Sequence, residues 1–237
     1  MMRDLKQPKA SKKPSVEGIY TQILQAIFER KLSPGLRLKE EELSEVFQVG
    51  RATIRTVLQR LALEKLVNLV PNSGAFIAEP SISESREVFE ARRLIEKELV
   101  RALAGNFNAD KKARLLAHVE REHAADAKGE HSLRIRLSGE YHLLIGELAE
   151  KPVLTEFLRE IIPRTSLIIA LYERVSYESD ETNTHCDHQV LIDVLETGDA
   201  DRAEVLMLDH LRAIEDKLSL EPPTEKEVDL RQIFNKG

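Results

Sequence analysis

The 237-residue chain holds one cysteine, Cys186, no tryptophan, 10 glycines and only 5% aromatic residues. A lone cysteine excludes an internal disulfide framework and points to a reducing, cytoplasmic setting. Few glycines beside abundant Ala, Leu, Glu and Arg favour helices over an all-β fold. No window approaches the ~18 consecutive apolar residues of a membrane span, so no membrane partner is expected. The opening MMRDLKQPKASKKPS is polar and basic, without the apolar segment a secretory signal needs. What is present in quantity is 42% hydrophobic residues, enough for a core, and 32% charged residues to keep its surface wet.

The net charge of −6 conceals an asymmetry. Residues 1–80 carry 13 Lys/Arg against 9 Asp/Glu, leaving 22 against 32 for the remainder. A small basic module joined to a larger acidic one is expected where only one end meets phosphates.

Residues 1–14 have almost nothing to bury and are expected to be a disordered basic tail. From Ser15, Val16, Ile19, Tyr20, Ile23 and Ile27 recur at helical spacing to about Arg30, and Ser33-Pro34-Gly35 is a turn. A short second helix follows, with Glu40, Glu41 and Glu42 at its positive end. The third, from about Arg51 to Glu64, groups Ile54, Val57, Leu58 and Leu61 on one arc, with Gly50 as N-cap. Val67 and Leu69, then Ala75-Phe76-Ile77, flank Pro71-Asn72-Ser73-Gly74 as a hairpin. Three helices and a hairpin over 15–79 describe a winged helix-turn-helix.

Pro80-Ser81-Ile82-Ser83 is the natural boundary. Beyond it only helical period is visible, with helices expected at 84–105, 109–127, 130–149, 152–176, 181–196 and 199–219, followed by a loose tail over 220–237. The fold class is therefore mainly α: an N-terminal winged helix-turn-helix and a C-terminal all-α bundle. Leu167-Ile168-Ile169-Ala170-Leu171 reads as bundle core or dimer interface.

A helix entering the major groove needs an apolar back and donors at its N-terminal end. Arg51 and Arg55, one turn apart, can each fork onto guanine O6 and N7 or onto phosphate. Thr53 and Thr56 can reach phosphate, and Arg37 can clamp the backbone beside the second helix. At the wing, Asn72, Ser73 and Gly74 offer small side chains and accessible N–H groups. Exposed arginines alone are ordinary; the element order, the charge asymmetry and the hairpin give them weight.

These residues carry a family resemblance. Leu32-Ser33-Pro34-Gly35-Leu36-Arg37-Leu38, Glu41-Glu42-Leu43-Ser44, Val49-Gly50-Arg51-Ala52-Thr53-Ile54-Arg55 and Pro71-Asn72-Ser73-Gly74-Ala75-Phe76-Ile77 resemble, in order, the helix-turn-helix and wing of GntR-family regulators. Gly50, Thr56-Val57 and Lys65 depart from the usual Ser, Glu-Ala and Gly. Residues 90–96, 140–154 and 187–211 resemble the FCD-type effector domain of the FadR-like subfamily.

The resemblance implies a divalent metal, Zn or Ni, bound by His142, His188 and His210. It also implies a small carboxylate effector facing Arg92. Ser138 stands one turn before His142, where the family has an aspartate; this leaves either a three-histidine site completed by water or a weakened site. Lys151 replaces the family's frequent Asn before Pro152. His185 and Cys186 are adjacent on a helix, diverge, and read as surface or packing residues. The expected partners are double-stranded DNA with a palindromic operator, the small carboxylate and a second copy of the chain as homodimer. Two other classes stay open on the residues alone: a metal-dependent hydrolase on a helical bundle, against which stands the lack of a nucleophile motif or phosphate loop, and an effector-independent dimeric DNA-binding protein.

Overall fold

The computed structural model describes residues 14–173, 185–218 and 229–234, excluding the side chains of 185–187. The expected basic tail, the far end of the predicted 152–176 helix, the start of the 181–196 helix and the side chains of His185 and Cys186 therefore lie outside the described residues.

The N-terminal unit forms as its periodicity predicts. Helix α1 (Val16–Phe28) starts at Ser15, whose hydroxyl accepts from the Gly18 N–H at 3.1 Å. Helices α2 (Glu40–Phe47) and α3 (Arg51–Leu63) follow. Ile19, Ile23, Ile27, Leu43, Ile54, Val57 and Leu61 meet in one core. Three strands make the wing: β1 (Arg37–Leu38), β2 (Val67–Val70) and β3 (Gly74–Ile77), antiparallel in the order β1-β3-β2. The hairpin was expected; β1 was not, because two residues are too few to show alternation. Arg37 pairs with Phe76 in this sheet and belongs to the wing as much as to the approach to α2.

The hairpin turn is set by local chemistry. Pro71 fixes the first corner, Asn72 takes φ 60°, and the Ser73 N–H closes onto the Val70 carbonyl at 3.0 Å. Helix α3 ends in a left-handed cap at Lys65, φ 60°. The Lys65 N–H bonds Ala62 O at 3.0 Å and the Leu66 N–H bonds Leu61 O at 2.9 Å. This is the position the family fills with glycine.

Among the described residues, six helices build the second unit: α4 (Ile82–Ala104), α5 (Ala109–Ala127), α6 (His131–Leu148), α7 (Pro152–Tyr172), α8 (His185–Thr197) and α9 (Ala200–Asp216). Asn108 and Asp199 cap α5 and α9, and Pro152 opens α7. Helix α6 is the axis, packed against α4, α5 and α7; Ile135, Gly139, Tyr141, His142, Ile145 and Leu148 are buried, while Arg136 and Glu147 stay exposed on the remaining side. Gly139 lets α7 close on it: a Cβ there would stand 2.8 Å from Ile162 Cγ2 and 3.2 Å from Ser166 Oγ. The core of this unit is formed by Leu99, Leu103, Leu115, Tyr141, Ile145, Leu158, Ile192, Leu195 and Met207, among others.

The two units touch. Ile135, Leu167 and Ala170 of the bundle join the N-terminal core. Arg30, just beyond α1, donates from Nε to Ala170 O at 2.5 Å and from Nη2 to Glu173 O, meeting carbonyls at the negative end of α7. The expectation of a loose tail is corrected over 229–234. There α10 (Leu230–Phe234) lies on α2, with Leu230 buried, Phe234 and Phe47 ring centroids 5.1 Å apart, and Arg231 paired with Glu45. The short helix was hidden because Pro222-Pro223 precedes it and one buried leucine leaves no period.

A lysine in the left-handed region is strained by about 1 kcal/mol. Lys65→Gly is expected to raise stability by about 0.5–1 kcal/mol, the gain being trimmed by glycine's freer unfolded chain. A urea titration measures it; an unchanged or lowered midpoint would contradict the cap geometry.

Candidate functional site

Two groups of candidate residues are separated in space as well as in sequence. The first lines the exposed N-terminal end of α3 and the wing. Arg51 and Arg55 project into solvent, and each is held by an acid from α2. Arg51 pairs with Glu41. Arg55 forks onto Glu40, with Nε–Oε1 at 3.1 Å and Nη2–Oε2 at 2.9 Å. The sequence reading assigned these glutamates to the helix dipole; it missed their second task because it spans a turn of the chain. Such exposed pairs are worth about 0–1 kcal/mol, so a better anion can replace the glutamate.

Thr53 is half-buried, and Thr56 is exposed with its hydroxyl donating to Ala52 O at 3.0 Å. Arg37 is exposed and leans over the wing turn, where a Cβ on Gly74 would lie 3.5 Å from its Nε. Asn72, Ser73 and Gly74 are exposed at the wing tip. Arg60, on the same polar arc by sequence, instead lies over the Tyr20 ring at 3.6 Å and bonds Glu17 and Glu64. It locks α3 to α1.

The second group is buried. His142 on α6, His188 on α8 and His210 on α9 bring their ring nitrogens within 4.8 Å of one another. Their exposures are 1%, 3% and 6%, so no bulk water serves them. His188 Nε2 and His210 Nε2 are 3.2 Å apart. Two nitrogens each about 2.0–2.1 Å from one tetrahedral ion would stand roughly 3.4 Å apart, so the pair needs little movement to share one. His142 Nε2 is buried without a partner.

The far sides of two rings are anchored by carboxylates. His142 Nδ1 lies 2.5 Å from Glu96 Oε2, and His188 Nδ1 lies 2.8 Å from Glu122 Oε2. Tyr141 stacks on His188, with centroids 3.9 Å apart, and its hydroxyl donates to His188 O at 3.1 Å. A carboxylate behind an imidazole is the arrangement that orients a metal-binding histidine. The donor set and the orphaned nitrogen fit a divalent metal of the zinc type.

Arg92 and Ser138 line the same cavity as the three histidines, beside Thr165, Ser166 and Glu173. Its volume is about 30 Å³. Arg92 is 2% exposed; its Nε donates to Glu96 Oε1 at 2.5 Å while Nη2 has no partner. All five residues singled out in the sequence for metal and effector thus border one space. Glu96 and Glu122 were missed as participants. Only the spacing of Glu96, one turn after Arg92, hinted at a shared face.

Burial holds His142 uncharged, its pKa pushed down to about 3, the state in which a ring nitrogen can bind a metal. Burial alone would raise Glu96, but Arg92 and then His142 hold it down to about 2, so it is a carboxylate.

Among known proteins, residues 15–77 match the family described as bacterial regulatory proteins, gntR family, and residues 87–213 match the FCD domain. The chain belongs to the GntR family of transcriptional regulators, in its class with an FCD effector-binding domain. It is 21% identical over 206 residues to the HTH-type transcriptional repressor RspR of Escherichia coli K12, covering 86% of this chain and 89% of that one. Against the regulator LutR of Bacillus subtilis the identity is 24% over 211 residues, covering 80% and 94%. The Uxu operon transcriptional regulator of E. coli K12 is 25% identical, covering 81% and 82%. The solved structure of E. coli McbR/YncC shares the fold, with a TM-score of 0.70 at 18% identity over 85% of this chain and 95% of that one. The three sequence relatives are named as transcription regulators, and the hydrolase alternative is set aside. Among the described residues, no helix is long and apolar enough to cross a membrane.

The buried histidine has a pH consequence. Unfolded, His142 takes up a proton near pH 6.5; folded, it does so only near 3. The unfolded chain therefore binds more protons across that window, and stability falls as pH drops through it. Glu96, depressed to about 2, adds a further loss below about 4.5. Between pH 6.5 and 5, His142 is expected to cost chelator-treated protein about 1–2 kcal/mol in urea unfolding, a part that His142→Leu should remove while the contribution of His131, also held down by burial, remains.

Proposed function

We propose that the chain is a homodimeric, sequence-specific DNA-binding regulator whose operator affinity responds to a small organic acid. In this reading His142, His188 and His210 hold a zinc or nickel ion, and Arg92 with that ion holds the acid. The observation that carries it is the convergence, at one buried cavity, of an orphaned His142 Nε2 and an orphaned Arg92 Nη2. Bound there, the ion supplies positive charge to a carboxylate oxygen. The chain's own part is to orient the acid: Arg92 Nη2 donates to it, and Ser138, Thr165 and Ser166 offer hydroxyls.

A cavity of about 30 Å³ has room for about two waters. An acid of several atoms must therefore part the helices around it. Glu173 borders the cavity at the end of α7, and its carbonyl is one of the two that Arg30 grips from the DNA-binding unit. Moving that end shifts the reading head. The leverage equals the acid's difference in affinity between the two placements, typically about 1–3 kcal/mol.

On DNA, the two recognition helices of a dimer enter successive major grooves of a palindromic site. Arg51 and Arg55 exchange Glu41 and Glu40 for guanine or phosphate. Arg37, Thr53, Thr56 and the wing residues Asn72, Ser73 and Gly74 fix the register on the backbone.

Elemental analysis tests the metal: about one zinc or nickel per chain is expected, lost to chelator with a fall in melting temperature. His188→Ala should lower that content. No metal and no chelator effect would remove the ion from the reading. A metal-loaded chain whose DNA affinity ignores carboxylic acids would instead be an effector-independent regulator. For DNA, duplexes selected by the unaltered protein from a random-sequence pool serve as probe. Arg55→Ala should weaken binding to them by roughly 10–100-fold with the bundle still folded. Unchanged affinity would place readout elsewhere.

A further inference from the structure

Arg92 and His142 are read above as the acid's anchor and an ion ligand, yet both lean on a group to which that reading gives no role. Glu96 follows Arg92 by one turn of α4 and is 1% exposed. Its Oε1 accepts from Arg92 Nε at 2.5 Å and its Oε2 faces His142 Nδ1 at 2.5 Å. A carboxylate can only accept and a guanidinium can only donate. The proton of a neutral His142 must therefore sit on Nδ1, facing Glu96. The lone pair is then on Nε2, the buried atom without a partner that points among the other two rings.

The geometry points to Glu96 as the positioning residue of the ion site: it locks His142 in the tautomer that leaves Nε2, the nitrogen turned away from Glu96, free to bind the ion, with Arg92 fixing which way its acceptors face. This rests on the metal reading above. It differs from a general electrostatic role, because what matters is an acceptor opposite Nδ1 rather than a negative charge nearby.

Replacement by an amide separates the two. In Glu96→Gln the amide oxygen is claimed by Arg92, which can only donate, so the amide NH₂ turns to His142. Nδ1 must then accept, the proton moves to Nε2, and the ligand atom is blocked. In Arg92→Met/Glu96→Gln the amide is released to turn its oxygen to His142. In Arg92→Met/Glu96→Leu no acceptor is left. The two double variants carry the same charge, and each removes the buried ion pair whole, which folded proteins often tolerate.

The experiment uses the full chain, zinc as the probe against a chromophoric chelator, and ¹⁵N-histidine NMR to read the tautomer. Arg92→Met/Glu96→Gln is expected to bind zinc about 10–100-fold more tightly than Arg92→Met/Glu96→Leu, the usual span for losing an outer partner of a metal-bound histidine. The ion-free unaltered chain should show His142 protonated at Nδ1, and Glu96→Gln should show it at Nε2. Equal zinc affinity in the two double variants, or the same tautomer with Glu96 and with Gln, would overturn the assignment. If the unaltered chain takes no zinc, the metal reading falls, while the tautomers of the ion-free proteins still decide what Glu96 does.

Discussion

The centre of the helical domain rests on a charge balance that water does not reach. A carboxylate excluded from solvent persists only when donors converge on it. Glu96 has two, the Arg92 guanidinium from its own helix and the His142 ring from α6. The requirement runs outward. Arg92 and Glu96 must share the inner face of α4, α6 must lie close enough to present His142, and Gly139 is what allows α7 to close over the other side. Helices α8 and α9 complete the enclosure with His188 and His210. Apolar packing supplies the bulk of the stability; the polar cluster specifies which faces turn inward.

The exposed end of the molecule follows the opposite logic. Its arginines are held in loose, solvent-exposed pairs with Glu40 and Glu41, cheap to break and quick to exchange. Arg60 shows the contrast. Stacked on Tyr20 and bonded to two acids, it is fixed in place and joins α3 to the rest of its domain. Neighbouring arginines on one helix thus divide between loosely paired and firmly fixed.

Much of this was legible in the residues. Periodicity located α1 to α9, with those ends that fall on described residues met to within a few positions, and the order of motifs singled out the three histidines and Arg92 through the family they resemble. Other features escaped for physical reasons. Strand β1 is two residues long and α10 is five, too short for any period to emerge. Glu96 and Glu122 went unassigned, since charge is the usual mark of exposure and the histidines they face come from other helices. The left-handed Lys65 was visible as a departure from glycine, but only the cap around it explains why glycine is usual there.

The small helix α10 gives the DNA-binding unit a second connection. Its own chain leaves it through Pro80 into α4, while Leu230 and Phe234, much later in the sequence, rest against its core and α2. Stretches far apart in the sequence thus share one core, and the packing of the DNA-binding unit is complete only when residues 230–234 have docked on it.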